Sequence, residues 1–147
     1  MPHDFKLFPE LTNRQMQIYY FESPHRQITE DFRARVMKVT DGDTIRVRWE
    51  GRDFDFPIRF LNNAAPELNE KGGVESQAWL EQRILGKEVE IHINPKTRVE
   101  KWGRLLGAVY VGGSNVGEES IFLGHSVAWE DRAEGLIPNF AKEIERK

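Results

Sequence analysis

Three short runs carry residue types that together suit phosphodiester chemistry: Asp41-Gly42-Asp43-Thr44, Arg59 with Pro66-Glu67 beyond it, and Lys101-Trp102-Gly103-Arg104. Singly, each has an ordinary reading: Asp-Gly-Asp makes turns, a strand arginine faces water or an acid, and glutamate after proline is loop chemistry. In combination they supply what a phosphodiester needs. Carboxylate oxygens hold a hard divalent cation. Arginine forks grip phosphate oxygens in two-pronged fashion and stabilise the extra charge of a pentacoordinate transition state. The four histidines, His3, His25, His92 and His125, show no metal-ligand spacing.

Each cluster falls at the end of a predicted strand. From Arg33 the chain alternates, with Ala34 and Val36 opposing Arg35 and Met37, and the run stops at Thr40-Asp41-Gly42-Asp43. Asp-Gly there predicts a hairpin whose central residues take positive φ. Thr44 to Trp49 and Phe54 to Leu61 complete a three-strand meander, with Pro57 at an edge or a bulge because it cannot donate to the ladder. Pro66 and Gly72-Gly73 bracket a loop; Val74 to Leu85 then reads as a helix ended by Gly86. Lys87 to Ile93 alternates as a fourth strand and Leu105 to Val111 gives a fifth, followed by a Gly112-Gly113 turn and a helical turn from Glu118 to Leu123 ended by Gly124. The expected class is therefore mainly β with helices (α+β): a five-stranded OB-fold barrel, a helix between strands 3 and 4, and C-terminal helices. Residues 1–32 form an N-terminal extension with a short helix within Leu11 to Tyr20, capped by Thr12 or Asn13. The barrel domain spans 33–133, and 134–147 reads as a helical tail. The extension either packs on its own domain or contacts a protein partner.

Composition narrows the classes. A chain of 147 residues with 39% hydrophobic and 31% charged residues is globular, with one domain and a tail. No apolar run reaches the roughly 18–20 residues of a membrane span, and Met1 to Tyr20 show no secretory h-region, so the expectation is a cytoplasmic protein without membrane contact. Zero cysteines exclude a disulfide scaffold, a thiolate zinc site and a cysteine nucleophile. With a formal net charge of -3, attraction for a polyanion must come from a local basic patch or a bound cation. Arg46 and Arg48, alternating along a strand, are either a solvated face or part of a phosphate-tracking groove.

The segment from Arg35 to Trp129 resembles the staphylococcal nuclease family, thermonuclease-like domains built on an OB-fold with an inserted helix. The resemblance is carried by Val39-Thr40-Asp41-Gly42-Asp43-Thr44, by Arg59-Phe60-Leu61 followed by Ala65-Pro66-Glu67, by Gly86-Lys87-Glu88-Val89-Glu90, and by Lys101-Trp102-Gly103-Arg104-Leu105. It implies a calcium-dependent nuclease acting on single-stranded DNA or RNA. Asp43 falls at a calcium ligand and Ala65 at a backbone carbonyl ligand. Glu67 stands at the general base toward the attacking water, and Arg59 and Arg104 at the two arginines on the scissile phosphate. Trp129 lies near an aromatic position of the nucleotide pocket, core packing being the alternative. Lys101 and Trp102 adjoin Arg104, and Trp102 either stacks on a base or packs on its own domain.

One position departs from the family pattern. The family runs from its arginine through an apolar strand to Asp-Ala-Pro-Glu or Asp-Thr-Pro-Glu, whereas this chain reads Arg59-Phe60-Leu61-Asn62-Asn63-Ala64-Ala65-Pro66-Glu67. Ala64 stands where a second metal carboxylate is expected, and a methyl binds no cation. Calcium affinity follows ligand charge, so binding is weakened or lost unless Asp41, Asn62, Asn63 or Glu70 substitutes. Two readings stay open: a nuclease impaired at one ligand, and a catalytically silent OB-fold module that binds nucleic acid or protein.

Overall fold

The computed structural model describes residues 3–100 and 103–129. Helix α1 (Asn13–Tyr19) starts at Thr12, whose side chain accepts from the Gln15 amide while Gln15 returns a bond to the Thr12 amide, a reciprocal cap. A 3-10 turn, Tyr20–Glu22, follows. The alternation then resolves into β1 (Phe32–Asp41), β2 (Thr44–Arg48) and β3 (Phe56–Phe60), an antiparallel meander. After the two-residue β4 (Asn63–Ala64) come α2 (Gly73–Ile84), β5 (Glu88–His92), β6 (Leu105–Val111), β7 (Ser114–Asn115), α3 (Val116–Phe122) and β8 (Val127–Ala128).

The sheet runs β3-β2-β1-β5-β6-β7, and a parallel pairing of β3 with β6 closes β1, β2, β3, β5 and β6 into a five-stranded barrel. With three helices this is an α+β fold of OB type, as the strand order implies. Inward-facing Val36, Val39, Ile45, Val47, Ile58 and Ile91 fill it, and Leu80 and Ile84 of α2 enter the same core. Pro57 sits on β3 before its pairing with β6 begins at Ile58, so its missing donor costs that seam nothing.

The turns correct one expectation. The Gly42-Asp43 turn joins β1 to β2 with neither residue at positive φ; the left-handed glycine pair lies at Gly112 (φ 56) and Gly113 (φ 82), between β6 and β7. Close packing explains Gly42 instead. A Cβ there would stand 2.0 Å from Ser76 Oγ and 2.7 Å from the Ala65 Cβ. We therefore expect Gly42→Ala to destabilise the fold by about 1–3 kcal/mol, as overpacking does, measured by urea unfolding; an unchanged midpoint would contradict this account.

The Asn pair also has a structural cause. β3 ends at Phe60; Asn62 takes φ 58, a left-handed conformation that asparagine tolerates, and so turns the chain out of the strand. Asn63, buried on β4, donates through Nδ2 to the Gly117 carbonyl at 3.0 Å and to Ser126 Oγ at 2.9 Å. Its side chain thus ties α3 to Ser126, the residue just before β8.

The N-terminal residues are bonded into the barrel. Arg98, fully buried, donates to the Ile28 carbonyl at 2.6 Å and the Leu11 carbonyl at 2.8 Å, and pairs with Glu10 at 3.0 Å. Glu10 pairs on its other side with buried Arg52, whose guanidinium lies 4.4 Å from the Phe56 ring centroid. The tail expected at 134–147, together with Lys101 and Trp102, lies outside the described residues. Among the described residues, no helix is long and apolar enough to cross a membrane.

Candidate active site

The barrel brings the ends of three elements together. The β1–β2 turn presents Asp41 and Asp43, β3 presents Arg59 opposite Thr44, and the residues before β6 present Glu100 and Arg104. The loop after β4 carries Glu67. Asp41, Asp43, Arg59, Glu67, Arg104 and Trp129 all line one groove of about 540 Å³. Sequence positions as far apart as 41 and 129 thus share a wall.

Asp43 holds the groove together. Its Oδ2 accepts from the Ala65 amide at 2.8 Å and faces the Arg59 guanidinium at 3.3 Å, while Oδ1 accepts from the Thr44 hydroxyl at 3.1 Å. Those bonds position the Ala65-Pro66-Glu67 loop against the β1–β2 turn. Arg59 is fixed further by donating to the carbonyls of Asn63 at 2.6 Å and Phe60 at 3.0 Å. Its guanidinium also stands 5.7 Å from the ring centroid of Trp129, which is 54% exposed and free to offer its outer face.

Burial, a side-chain hydrogen bond that protonated Asp41 makes to Asp43 and the charge of Asp43 push the Asp41 carboxyl up to about 7; Glu67 adds to the effect, and the Asp43 amide, which donates to Asp41 Oδ1 at 3.1 Å, opposes it. Two carboxyl groups share a half-buried corner in which both charges together are unfavourable. Among the described residues no cluster of three or more His, Cys, Asp and Glu side chains is placed to hold a metal. Ala64, 2% exposed, sits in the β4–β8 pair opposite Val127 and contributes no oxygen from its side chain.

Arg104 is held by a residue the sequence reading missed. Glu100 receives Nε at 3.0 Å and Nη2 at 3.3 Å, and also the Arg104 amide at 3.1 Å; Nη1 reaches Thr44 Oγ1 at 3.4 Å. Burial disfavours that cation, but Glu100, with Asp43 and Asp41 behind it, raises its pKa above the ordinary arginine value. The i, i+4 spacing of Glu100 and Arg104 across Gly103, which takes φ 85, was the signal available. Glu67 is exposed and lines the groove, and its amide donates to Glu70 Oε1 at 2.7 Å.

No family model matches the chain. Over 119 residues it is 33% identical to a protein of Escherichia coli O157:H7 named "Uncharacterized endonuclease", with 80% of this chain and 74% of that relative covered. Over 80 residues it is 31% identical to a micrococcal nuclease of Shigella flexneri, covering 54% of this chain and 43% of the relative. A protein of Bacillus anthracis is 27% identical over 104 residues, covering 67% of this chain and 48% of the relative.

Proposed function

The chain belongs to the staphylococcal nuclease family, and we propose that it hydrolyses phosphodiester bonds of DNA or RNA in the groove that Asp43, Arg59, Glu67 and Arg104 line. The observation that carries this is the placement of two fixed arginine forks and an exposed carboxylate around one cleft. Arg59 and Arg104 bind the phosphate oxygens and offset the negative charge that grows as a fifth oxygen joins phosphorus. Glu67 accepts the proton of the attacking water. As the water oxygen bonds to phosphorus, the bond to the leaving sugar oxygen breaks, and that oxygen takes a proton from solvent. Trp129 flanks the cleft as a platform for a base.

The donors also suit a hard divalent cation, calcium in this reading. Asp41 and Asp43 stand together at the β1–β2 turn, the Asp41 carboxyl raised by burial and by Asp43, and carboxylate pairs are what calcium sites use. Asp43, Asp41 and the Ala65 carbonyl would hold it; when bound, it supplies positive charge next to the phosphate. With a methyl at position 64, affinity is expected to be low. That same methyl favours a second reading, a silent module that binds nucleic acid or protein without cleaving.

The test is hydrolysis of single-stranded DNA and of RNA with millimolar calcium and with chelator, beside Glu67→Gln and Ala64→Asp. We expect chelator-sensitive cleavage, lowered about 10²–10⁴-fold in Glu67→Gln and supported at lower calcium in Ala64→Asp. Silence of the parent and of Ala64→Asp alike would leave only the binding module.

A further inference from the structure

The outer face of the β1–β2 hairpin sets like charges against one another. Arg35 lies directly opposite Arg48, and Lys38 directly opposite Arg46. Facing like charges weaken a strand pair, so the arrangement works against the hairpin that displays it. Among the described residues no carboxylate stands within 4.0 Å of Arg35, Lys38 or Arg46. Arg35 donates to the Gly86 carbonyl at 2.6 Å and Arg46 to the Asp55 carbonyl at 2.9 Å, neither of which removes a charge. Arg48 is matched by Asp55, and Arg33, farther out, by Glu88 and Glu90. The stretch without an ion pair is Arg35, which has Glu88 opposite it on β5 but beyond ion-pair distance, with Lys38 and Arg46, on a chain whose formal net charge is -3.

This face is continuous with the groove. Thr44 pairs with Arg59 and Arg46 pairs with Pro57, so Arg59, Thr44, Arg46 and Arg48 project from one side of the sheet. Same-side residues along a strand are about 6.8 Å apart, which puts Arg46 one step and Arg48 two steps from Thr44. Arg35 and Arg48 in turn line a second groove of about 630 Å³, which Glu30, Glu50 and Glu88 also line, Glu88 directly opposite Arg35 on β5, so the positive run ends there.

We propose that the outer face of the β1–β2 hairpin is a track for the phosphate backbone of a nucleic-acid strand that leaves the cleft past Thr44, so that the protein grips strands longer than the cleft itself spans. The proposal rests on the nuclease reading, because the strand is anchored at Arg59. The phosphates replace the repulsion of the two facing pairs with attraction, and each cation engaged releases counterions from the polynucleotide. Charge complementarity selects this occupant: a run of cations at strand spacing matches a linear polyanion.

The experiment measures binding of fluorescein-labelled oligothymidylates in chelator, where no cleavage intrudes, with a long strand of about 20 and a short one of about 4 nucleotides. The triple variant Arg35→Gln/Lys38→Gln/Arg46→Gln is compared with Lys6→Gln/Arg14→Gln/Lys96→Gln, an equal charge change at exposed positions elsewhere. For the long strand we expect the hairpin variant to lose about tenfold in affinity and the slope of log affinity against log salt to shrink by about 2, near 0.7 per contact. The short strand should bind all three proteins alike. An unchanged slope in the hairpin variant, or an equal loss in the comparison variant, overturns the track. Cleavage assays with calcium separate the two claims. Hairpin-dependent binding by a protein that cleaves nothing retains the track and removes the nuclease, while cleavage by a protein whose long-strand binding ignores the hairpin does the reverse.

Discussion

Arg59→Ala and Arg104→Ala are each expected to lower kcat on single-stranded DNA by about 10³-fold or more, the scale on which removal of a charged transition-state contact is felt. The two losses have different structural companions. Arg59 donates to the Asn63 and Phe60 carbonyls and faces Asp43, so its removal also loosens the β3–β4 corner and lowers the melting temperature. Arg104→Ala leaves Glu100 without the guanidinium that both of its oxygens receive, next to a corner already crowded by Asp41 and Asp43. Arg59→Lys separates charge from geometry. It keeps a cation but loses the fork that serves two carbonyls, Asp43 and a phosphate together, and the expected outcome is a deficit close to that of Arg59→Ala. Kinetics and thermal unfolding measured on the same preparations decide the matter. A loss of less than tenfold in either alanine variant with a native melting temperature would remove that arginine from the chemistry.

Much of this was legible because local patterns and global fold agree. β2 and β5 and the centre of β1 alternate apolar and polar residues with a period of 2, and only one face of each strand can enter the barrel. The Thr12 cap and the left-handed Gly86 and Gly124 likewise act within a few residues of their own positions. What the sequence hid is contact between distant residues. The role of Gly42 depends on Ser76 of a helix packed against it, not on its own φ. Asn63 reads as a misplaced polar residue until Gly117 and Ser126 arrive as its partners. Asp43, Arg59, Glu67 and Arg104 could be named from their types and order, but the bonds that hold them, from Ala65, Thr44 and Glu100, belong to the folded chain.

The largest such concealment lies under the N-terminal residues, and Glu10→Ala is expected to cost about 3–5 kcal/mol of stability. Glu10 is the only carboxylate facing two buried guanidinium groups among the described residues; it meets Arg52 across 42 residues of sequence and Arg98 across 88. Burial lowers the pKa of both arginines, and in each case Glu10 is the group that opposes it. Without Glu10, two cations stay in an apolar surround with their charge unmatched, since arginine does not surrender its proton at ordinary pH. Arg98 would still bond to the carbonyls of Leu11 and Ile28, so the arm would remain attached to a strained anchor. A domain of this size loses about 3–4 °C per kcal/mol, so melting should fall by roughly 10–20 °C in circular dichroism. Replacing the whole triad by Glu10→Met, Arg52→Met and Arg98→Leu removes the unmatched charges together with their partner, and should recover most of that loss. If Glu10→Ala melts like the parent, residues 3–31 are an appendage; if it melts early and the apolar triple does not, they are part of the barrel's core.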